Sequence, residues 1–348
     1  MDEFIQYAES NSDLINKKIA EVLSEMKQYI NNNAEALIPY FEEFVKANEG
    51  GKRIRANLAV LAYQLFGGQN KEDMIDIAAA LEIWQTGVLA QDDIIDESDQ
   101  RRGRPSLHCA LGGNHIAEAQ AMCLGDLGLG HIPYSIILKS NFDLDKKMAA
   151  LQCFNDTYNG NTILGQMLDI HLSDIAMPDA ELEDVQQMYR LKTANYTVIG
   201  PVKIGAILAG ATEEQLQLIE EFGELTGVMF QLQDDISGVF GDEKVIGKPV
   251  TSDVMEGKKT RLSLLAFQGA TPEQLESLKA IYGAKNRNIS SEDMAAVRVI
   301  FMQTGALQAV KEMMTSYGNQ ARKIINCFPQ NEFRDILEGF IEYIMSKA

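Results

Sequence analysis

Hydrophobic positions recur at three- and four-residue steps through most of the chain. Leu14, Ile15, Ile19, Val22, Leu23, Met26, Tyr29 and Ile30 form one such series. Met294, Val297, Ile300, Phe301, Leu307, Val310, Met313, Met314 and Tyr317 form another, and Phe333, Ile336, Leu337, Phe340, Ile341 and Ile344 a third. This is the period of a helix with one buried face. Runs of alternating β-branched residues are few, so no sheet is expected. Breaks fall at Gly67-Gly68, Gly112-Gly113, 141–145, Met177-Pro178-Asp179, Ala211-Thr212, 241–257, Thr271-Pro272 and 286–291. Ser290, three residues before Asp293, fits a helix N-cap. No linker long enough to divide domains interrupts the pattern. The expected fold is all-α, a single large helical bundle over residues 1–348.

Composition agrees with that picture. The 348 residues are 46% apolar, enough for a sizeable core, and include only 8 prolines and one tryptophan. The balance of 31 basic against 50 acidic residues gives a net charge of −19, which disfavours general binding to nucleic acid or anionic lipid. Cys109, Cys123, Cys153 and Cys327 make no CxxC pair, as expected of free thiols in a reducing cytoplasm. The N-terminus shows no secretory pattern. The apolar stretches 77–90 and 196–211 are interrupted by Glu82 and Gln85, and by Pro201 and Lys203, so neither reads as a membrane span or anchor. The four histidines show no transition-metal ligand spacing.

Two apolar helical runs end in acids. Asp92, Asp93 and Asp96 follow 83–90, and Asp234 and Asp235 follow 225–232. Asp92 and Asp96 would stack on one helix face, ~6 Å apart along the axis. Like charges at that spacing need a counterion, and Mg²⁺ prefers such oxygen ligands together with substrate phosphates. Taken alone, the first cluster reads equally well as a solvated helix end. Cations lie close by in sequence: Lys52, Arg53 and Arg55 after Gly50-Gly51; Arg101, Arg102 and Arg104; Lys248; and Lys258-Lys259. Neither Gly-Lys pair has P-loop spacing. Two acidic knots bordered by basic ones describe a site for two phosphorylated substrates, one held through metal and one gripped by Lys and Arg.

Over residues 45–265 the chain resembles the trans-type isoprenyl diphosphate synthases, the polyprenyl synthetase family. The resemblance is carried, in order, by Gly50-Gly51-Lys52-Arg53-Ile54-Arg55; Asp92-Asp93-Ile94-Ile95-Asp96 with Arg101-Arg102-Gly103 and Pro105; Gly165-Gln166-Met167-Leu168-Asp169; Lys192-Thr193 with Tyr196-Thr197; Phe230-Gln231-Leu232-Gln233-Asp234-Asp235 with Phe240-Gly241-Asp242; and Gly247-Lys248, Asp253 and Gly257-Lys258. Each motif alone is common; the ordered set is specific.

The resemblance implies a bundle around a deep central cavity, usually as a homodimer. It implies the head-to-tail joining of an allylic diphosphate to isopentenyl diphosphate, with release of diphosphate. Asp92, Asp96 and Asp234 would then hold Mg²⁺, three ions per site, with Asp93 and Asp235 in support. Arg101, Lys192, Lys248 and Lys258 would bind the allylic diphosphate. Lys52, Arg55, Gln85 and Arg102 would bind isopentenyl diphosphate, Gln85 standing where family members carry His or Gln. Lys192, Thr193, Tyr196 and Gln231 would stabilise the allylic cation through dipoles. Gly238 stands where the family often has a third Asp, which puts metal affinity at that wall in question. The C-terminal extension, 284–348, carries no motif and reads as packing.

Chain length is read from the helix before Asp92. Gly87 and Val88 are small where bulky aromatics stop growth early, and Trp84 is a candidate floor or an ordinary packing residue. The implied product is a trans-polyprenyl diphosphate of about twenty carbons or longer. The competing readings are a terpene cyclase, which would have no use for Lys52, Arg55 and Arg102, and a silent synthase subunit, which would have lost its acids.

Overall fold

The computed structural model describes residues 2–241, 250–284 and 289–346. Helix α1 spans Asp2–Ala34, α2 Ile38–Ala47, α3 Ile54–Leu65 and α4 Lys71–Ile95. Asn70 starts α4 by accepting from the Asp73 N–H at 3.3 Å, with Glu72 and Asp73 at the positive end of the helix dipole. Buried side chains run all round α4, among them Met74, Ile77, Leu81, Ile83 and Trp84, so this is a central helix rather than a surface one. It is wrapped by α1, α3, α6 (His115–Asp126) and α7 (Ile132–Lys139).

The other half is built on α12, Glu213–Phe240. Thr212 and Gln215 open it as a reciprocal capping box. Ser290 and Asp293 do the same for Ser291–Gln303, as the sequence pattern anticipates. Separate apolar clusters surround α4 and α12. The seam between these halves holds the acid-bearing turns of both helices.

Three long rods each contain a wide π-helical stretch. These are Leu127–His131 between α6 and α7, Phe154–Gly160 between α8 (Leu144–Cys153) and α9 (Asn161–Asp174), and Tyr189–Ile199 between α10 (Leu182–Met188) and α11 (Gly200–Ala209). Such widenings tend to occur at functional positions. Hydrophobic spacing does not reveal them, because they are short inserts within longer helical runs.

Among the described residues the only strands are two short ones, Gln100–Arg101 paired with Arg104–Pro105. Arg102 (φ 54°) and Gly103 (φ 72°) form the reversal, the left-handed pair that a two-residue hairpin requires. The expected loop is thus a hairpin that fixes where its arginines point.

One described rod, His115–Lys139, has the length and composition to cross a membrane, with a mean hydropathy of 1.3. It packs on α4 through Ala117, Ala121 and Leu124, while Ile116, Met122 and Leu138 are exposed. The apolar stretches noted in the sequence belong instead to buried parts of α4 and of the 182–209 rod.

The C-terminal extension is part of the bundle. Helices Ala306–Ile325 and Glu332–Met345 pack on α12, and the last also meets α1 and α3. Phe4 and Phe340 pack with tilted rings whose centroids are 5.0 Å apart, joining the first and last helices.

Candidate active site

A cavity of about 400 Å³ lies in the seam. Asp92 looks in from α4, Asp234 and Asp235 from α12, Asp169 from α9, and Lys192, Thr193 and Tyr196 from the π-helical segment. The cation pairs across this space are specific. Lys192 Nζ donates to Asp92 Oδ1 at 3.2 Å and also to Asp169. Lys258 Nζ donates to Asp96 Oδ2 at 3.0 Å and lies 3.3 Å from Glu256. Burial alone would push the Asp92 carboxyl up. The charges of Lys192, Arg101 and Lys258 outweigh it and hold Asp92 well below the usual carboxylate range. Burial likewise acts against charge on Lys192, and Asp92 and Asp169 overcome it and raise its pKa.

The donor set fits a hard divalent cation. The cavity offers carboxylate oxygens and no His or Cys, the chemistry Mg²⁺ prefers. Ammonium groups sit on these carboxylates, so the wall demands positive charge.

Two expected metal residues have other work. Asp93 is buried, and Arg101 Nε donates to its Oδ1 at 2.7 Å. It holds the hairpin arginine, because its side chain leaves α4 on a different face from Asp92 and Asp96. Asp235 is buried and accepts from the Tyr189 hydroxyl and from Gln231 Nε2, the latter at 2.9 Å. Burial pushes its pKa up to about 7 against those hydrogen bonds. It orients Gln231, which in turn accepts from the Thr193 hydroxyl.

A larger cavity of about 910 Å³ adjoins the first. Lys52, Arg55, Gln85 and Arg102, the four residues expected to hold the second diphosphate, all line it. Its frame was not evident from sequence. Arg53 is buried and left-handed (φ 51°), and its guanidinium reaches Glu82 (3.3 Å), the Asn48 carbonyl (2.6 Å) and Asn16 (2.8 Å). Glu82 also accepts from the Ala56 N–H at 3.1 Å. These contacts lock the start of α3 and leave Lys52 and Arg55 to face the cavity. Arg55 donates to Thr197 Oγ1 at 2.9 Å and lies 4.1 Å above the Tyr196 ring, while its buried Nε has no partner. Arg102 sits over Gly51, where a Cβ would come within 3.3 Å of the guanidinium carbon. Burial lowers its pKa against the charge of Glu82, with Arg53 and Arg55 acting in the same sense as burial.

Tyr343, from the C-terminal helix, is a further residue the sequence did not single out. Lys52 Nζ lies 5.8 Å from the centre of its ring. The extension therefore reaches the site. Gly165 explains the quoted Gly-Gln-Met-Leu-Asp motif: a Cβ there would meet the Lys192 backbone nitrogen at 2.1 Å. Only glycine lets α9 lie against the π-helical segment and bring Asp169 to Lys192. Lys248, with Asp242 and Gly247, lies outside the described residues.

The chain-length positions divide. Gln85, Leu89 and Asp92 are the α4 residues that face the first cavity. Gly87 faces α6 instead: a Cβ there would stand 2.6 Å from the Gly125 carbonyl and 3.1 Å from Leu129. It is a helix-crossing glycine, since residues five apart on a helix do not share one face with Asp92. Val88 packs half-buried in the α4 core. Trp84 is fully buried, donates to Asn159 Oδ1 at 3.2 Å, and packs on Tyr158 and Tyr196 with centroids 4.4 and 5.7 Å away. It backs the Tyr196 ring that lines the cavity. Beside the first acid cluster, the fold gathers Asp99, His108 and Cys109, with Cys109 Sγ 3.4 Å from His108 Nε2 and 3.5 Å from Asp99 Oδ1.

A polyprenyl synthetase family model matches residues 38–300. The chain belongs to the polyprenyl synthetase family. It is a prenyltransferase, an isoprenyl diphosphate synthase. A short-chain isoprenyl diphosphate synthase of Methanothermobacter thermautotrophicus is 27% identical over 100% of this chain and 99% of its own. A geranylgeranyl diphosphate synthase of Sulfolobus acidocaldarius is 30% identical over 80% of this chain and 81% of its own. The crystal structure of geranylgeranyl pyrophosphate synthase from Corynebacterium glutamicum, complexed with isoprenyl diphosphate and magnesium, has a TM-score of 0.89 and 26% identity, covering 97% of this chain and 98% of that one. The synthase motifs thus sit on the expected all-α fold.

Proposed function

We propose that this synthase condenses an allylic diphosphate with isopentenyl diphosphate in a Mg²⁺-dependent reaction, giving a trans-polyprenyl diphosphate of twenty carbons or longer. The observation that carries the reading is the pair of adjoining cavities. One has acid walls with cations between them; the other has seven cations to four acids, and those acids already pair with Lys46, Arg53, Arg101 and Arg104.

Asp92, Asp96 and Asp234 would hold Mg²⁺, three ions per site, which when bound offset the charge of a departing diphosphate. Lys192, Lys258 and Arg101 grip the allylic diphosphate, with Lys248 a further candidate. Their present partners, Asp92, Asp93, Asp96 and Asp169, pass to other counterions as the substrate enters. The Thr193 hydroxyl, the Gln231 amide and the Tyr196 ring stand around the carbon chain, where fixed dipoles stabilise an allylic cation without a protein nucleophile. Lys52, Arg55, Gln85 and Arg102 hold isopentenyl diphosphate so that its double bond meets that cation.

Tyr196, backed by Trp84 and Tyr158, forms the aromatic floor in this reading. The geranylgeranyl diphosphate synthase among its relatives supports a product of this size. We also propose that the synthase is a cytoplasmic homodimer. On α9, Ile163, Leu164, Met167 and Ile170 are all about half exposed at helical spacing, an apolar stripe suited to a second copy.

Product mass spectrometry after incubation with Mg²⁺, isopentenyl diphosphate and farnesyl diphosphate tests the reaction and its length together. The expected result is a ladder ending at twenty or more carbons, which Trp84→Ala lengthens. Diphosphate release without use of isopentenyl diphosphate would contradict it.

A further inference from the structure

We propose that Asp99, His108 and Cys109 form a site for a transition-metal ion of the Zn²⁺ class, distinct from the carboxylate wall proposed for Mg²⁺. The three ligand atoms lie within 4.8 Å of one another. Cys109 Sγ is 3.4 Å from His108 Nε2 and 3.5 Å from Asp99 Oδ1. With Zn–S at ~2.3 Å and Zn–N or Zn–O at ~2.0–2.2 Å, the edges of a coordination tetrahedron that start at sulfur are about 3.5 Å long. Both sulfur edges of the cluster therefore already have the length that a bound ion needs. The mixed sulfur, nitrogen and oxygen donor set is one that suits Zn²⁺ and not Mg²⁺.

The fold builds the cluster from the two ends of the arginine hairpin. Asp99 immediately precedes Gln100–Arg101, and His108 and Cys109 follow Arg104–Pro105 on the short helix Leu107–Ala110. Ser106 N–H donates to the Asp99 carbonyl at 2.9 Å, which ties those ends together. Sequence spacing hides the arrangement, because the ligands fall on both sides of a turn rather than on one helix face. Ser106 Oγ belongs to a buried residue and lies 3.3 Å from His108 Nδ1. When Nδ1 donates to this oxygen, Nε2 is left as an acceptor, the arrangement that orients metal-binding imidazoles. The single thiol proton then faces two acceptors, Nε2 and the Asp99 carboxylate. A divalent cation in place of that proton satisfies all three groups. His108 is buried, Cys109 half-buried and Asp99 exposed, so the cluster is anchored in the protein and open to solvent, where water can complete four-coordination. His108 and Cys109 line neither of the two adjoining cavities. The ion clamps the base of the hairpin that carries Arg101 and Arg102 and does not touch substrate.

The test is titration of the full chain with Co²⁺, a spectroscopic stand-in for Zn²⁺, in excess Mg²⁺ and without substrates, so it stands apart from the proposed reaction. The parent should show a thiolate-to-cobalt charge-transfer band that saturates at one ion per chain and is displaced by Zn²⁺. Cys109→Ser should abolish the band. Asp99→Asn, a change at an exposed position that spares the buried histidine, should weaken binding at least tenfold. Ser106→Ala should weaken it roughly tenfold to a hundredfold, the usual effect of losing an outer-shell partner. Cys123→Ser and Cys327→Ser, which remove exposed thiols elsewhere, should leave the band as in the parent. No band in the folded parent, a band that survives in Cys109→Ser, or folded Asp99→Asn protein within twofold of the parent would overturn the proposal. A band that Mg²⁺ displaces would overturn it as well.

Discussion

Lys192 Nζ meets Asp92 Oδ1 at 3.2 Å, so a residue assigned to substrate and a residue assigned to metal are each other's counterion in the free protein. Lys258 and Asp96 repeat the arrangement at 3.0 Å. Either ligand alone must break these pairs and leave a buried charge behind. Both together exchange one set of pairs for another. Mg²⁺ alone and diphosphate alone should each raise the melting temperature little. Added together they should raise it by clearly more than the sum, because binding only to the folded state stabilises it. Additive shifts in a thermal melt would contradict the exchange.

Gly165 carries no chemistry, yet Gly165→Ala should be among the most damaging single-methyl changes. The new Cβ would stand 2.1 Å from the Lys192 nitrogen, backbone that cannot swing aside. Overpacking of this kind costs ~1–3 kcal/mol, and it displaces Lys192 from Asp169. Urea unfolding should show the loss, with a fall in turnover at saturating substrates. An unchanged midpoint would refute the close approach.

The buried Arg53–Glu82 pair frames the second cavity, with side chains 3% and 2% exposed. Glu82→Ala strands a buried guanidinium and an Ala56 N–H, at a cost of ~3–5 kcal/mol. Denaturant melts should register it. A loss below ~1 kcal/mol, the worth of a surface pair, would mean the frame is not held this way.

Much of this site was legible in the sequence, and the rest was not for identifiable reasons. Asp92, Asp96 and Asp234 stand out as charges at the ends of apolar runs, where burial without partners would be prohibitive, and Lys192 and Lys258 stand out through the ordered motifs. Spacing along a helix tells which residues share a face but not which neighbour that face meets. Hence Asp93 and Asp235 read as metal residues with no sign of their partners Arg101 and Tyr189, and Gly87 read as cavity wall, although α6 lies against it. The π-helical turn at Tyr189–Ile199 left no signal. Tyr343 sits in an extension whose periodicity speaks only of packing.

Tyr343 offers its ring to Lys52 at 5.8 Å. Tyr343→Ala should raise the KM for isopentenyl diphosphate severalfold, in line with ~1 kcal/mol for a partly desolvated cation–π contact. Tyr343→Phe retains the ring and should stay near the parent value. Equal damage from both would assign the role to the hydroxyl instead.

The central claim is that adjoining cavities divide the two diphosphates between them. Lys52 lines only the larger cavity, and Lys258 lines the acid-walled one but not the larger. Steady-state KM values for both substrates in Lys52→Ala and Lys258→Ala test the division directly. The account predicts that Lys52→Ala raises the KM for isopentenyl diphosphate tenfold or more and leaves the allylic value nearly unchanged, while Lys258→Ala does the reverse. Equal rises in both constants for either variant would contradict it.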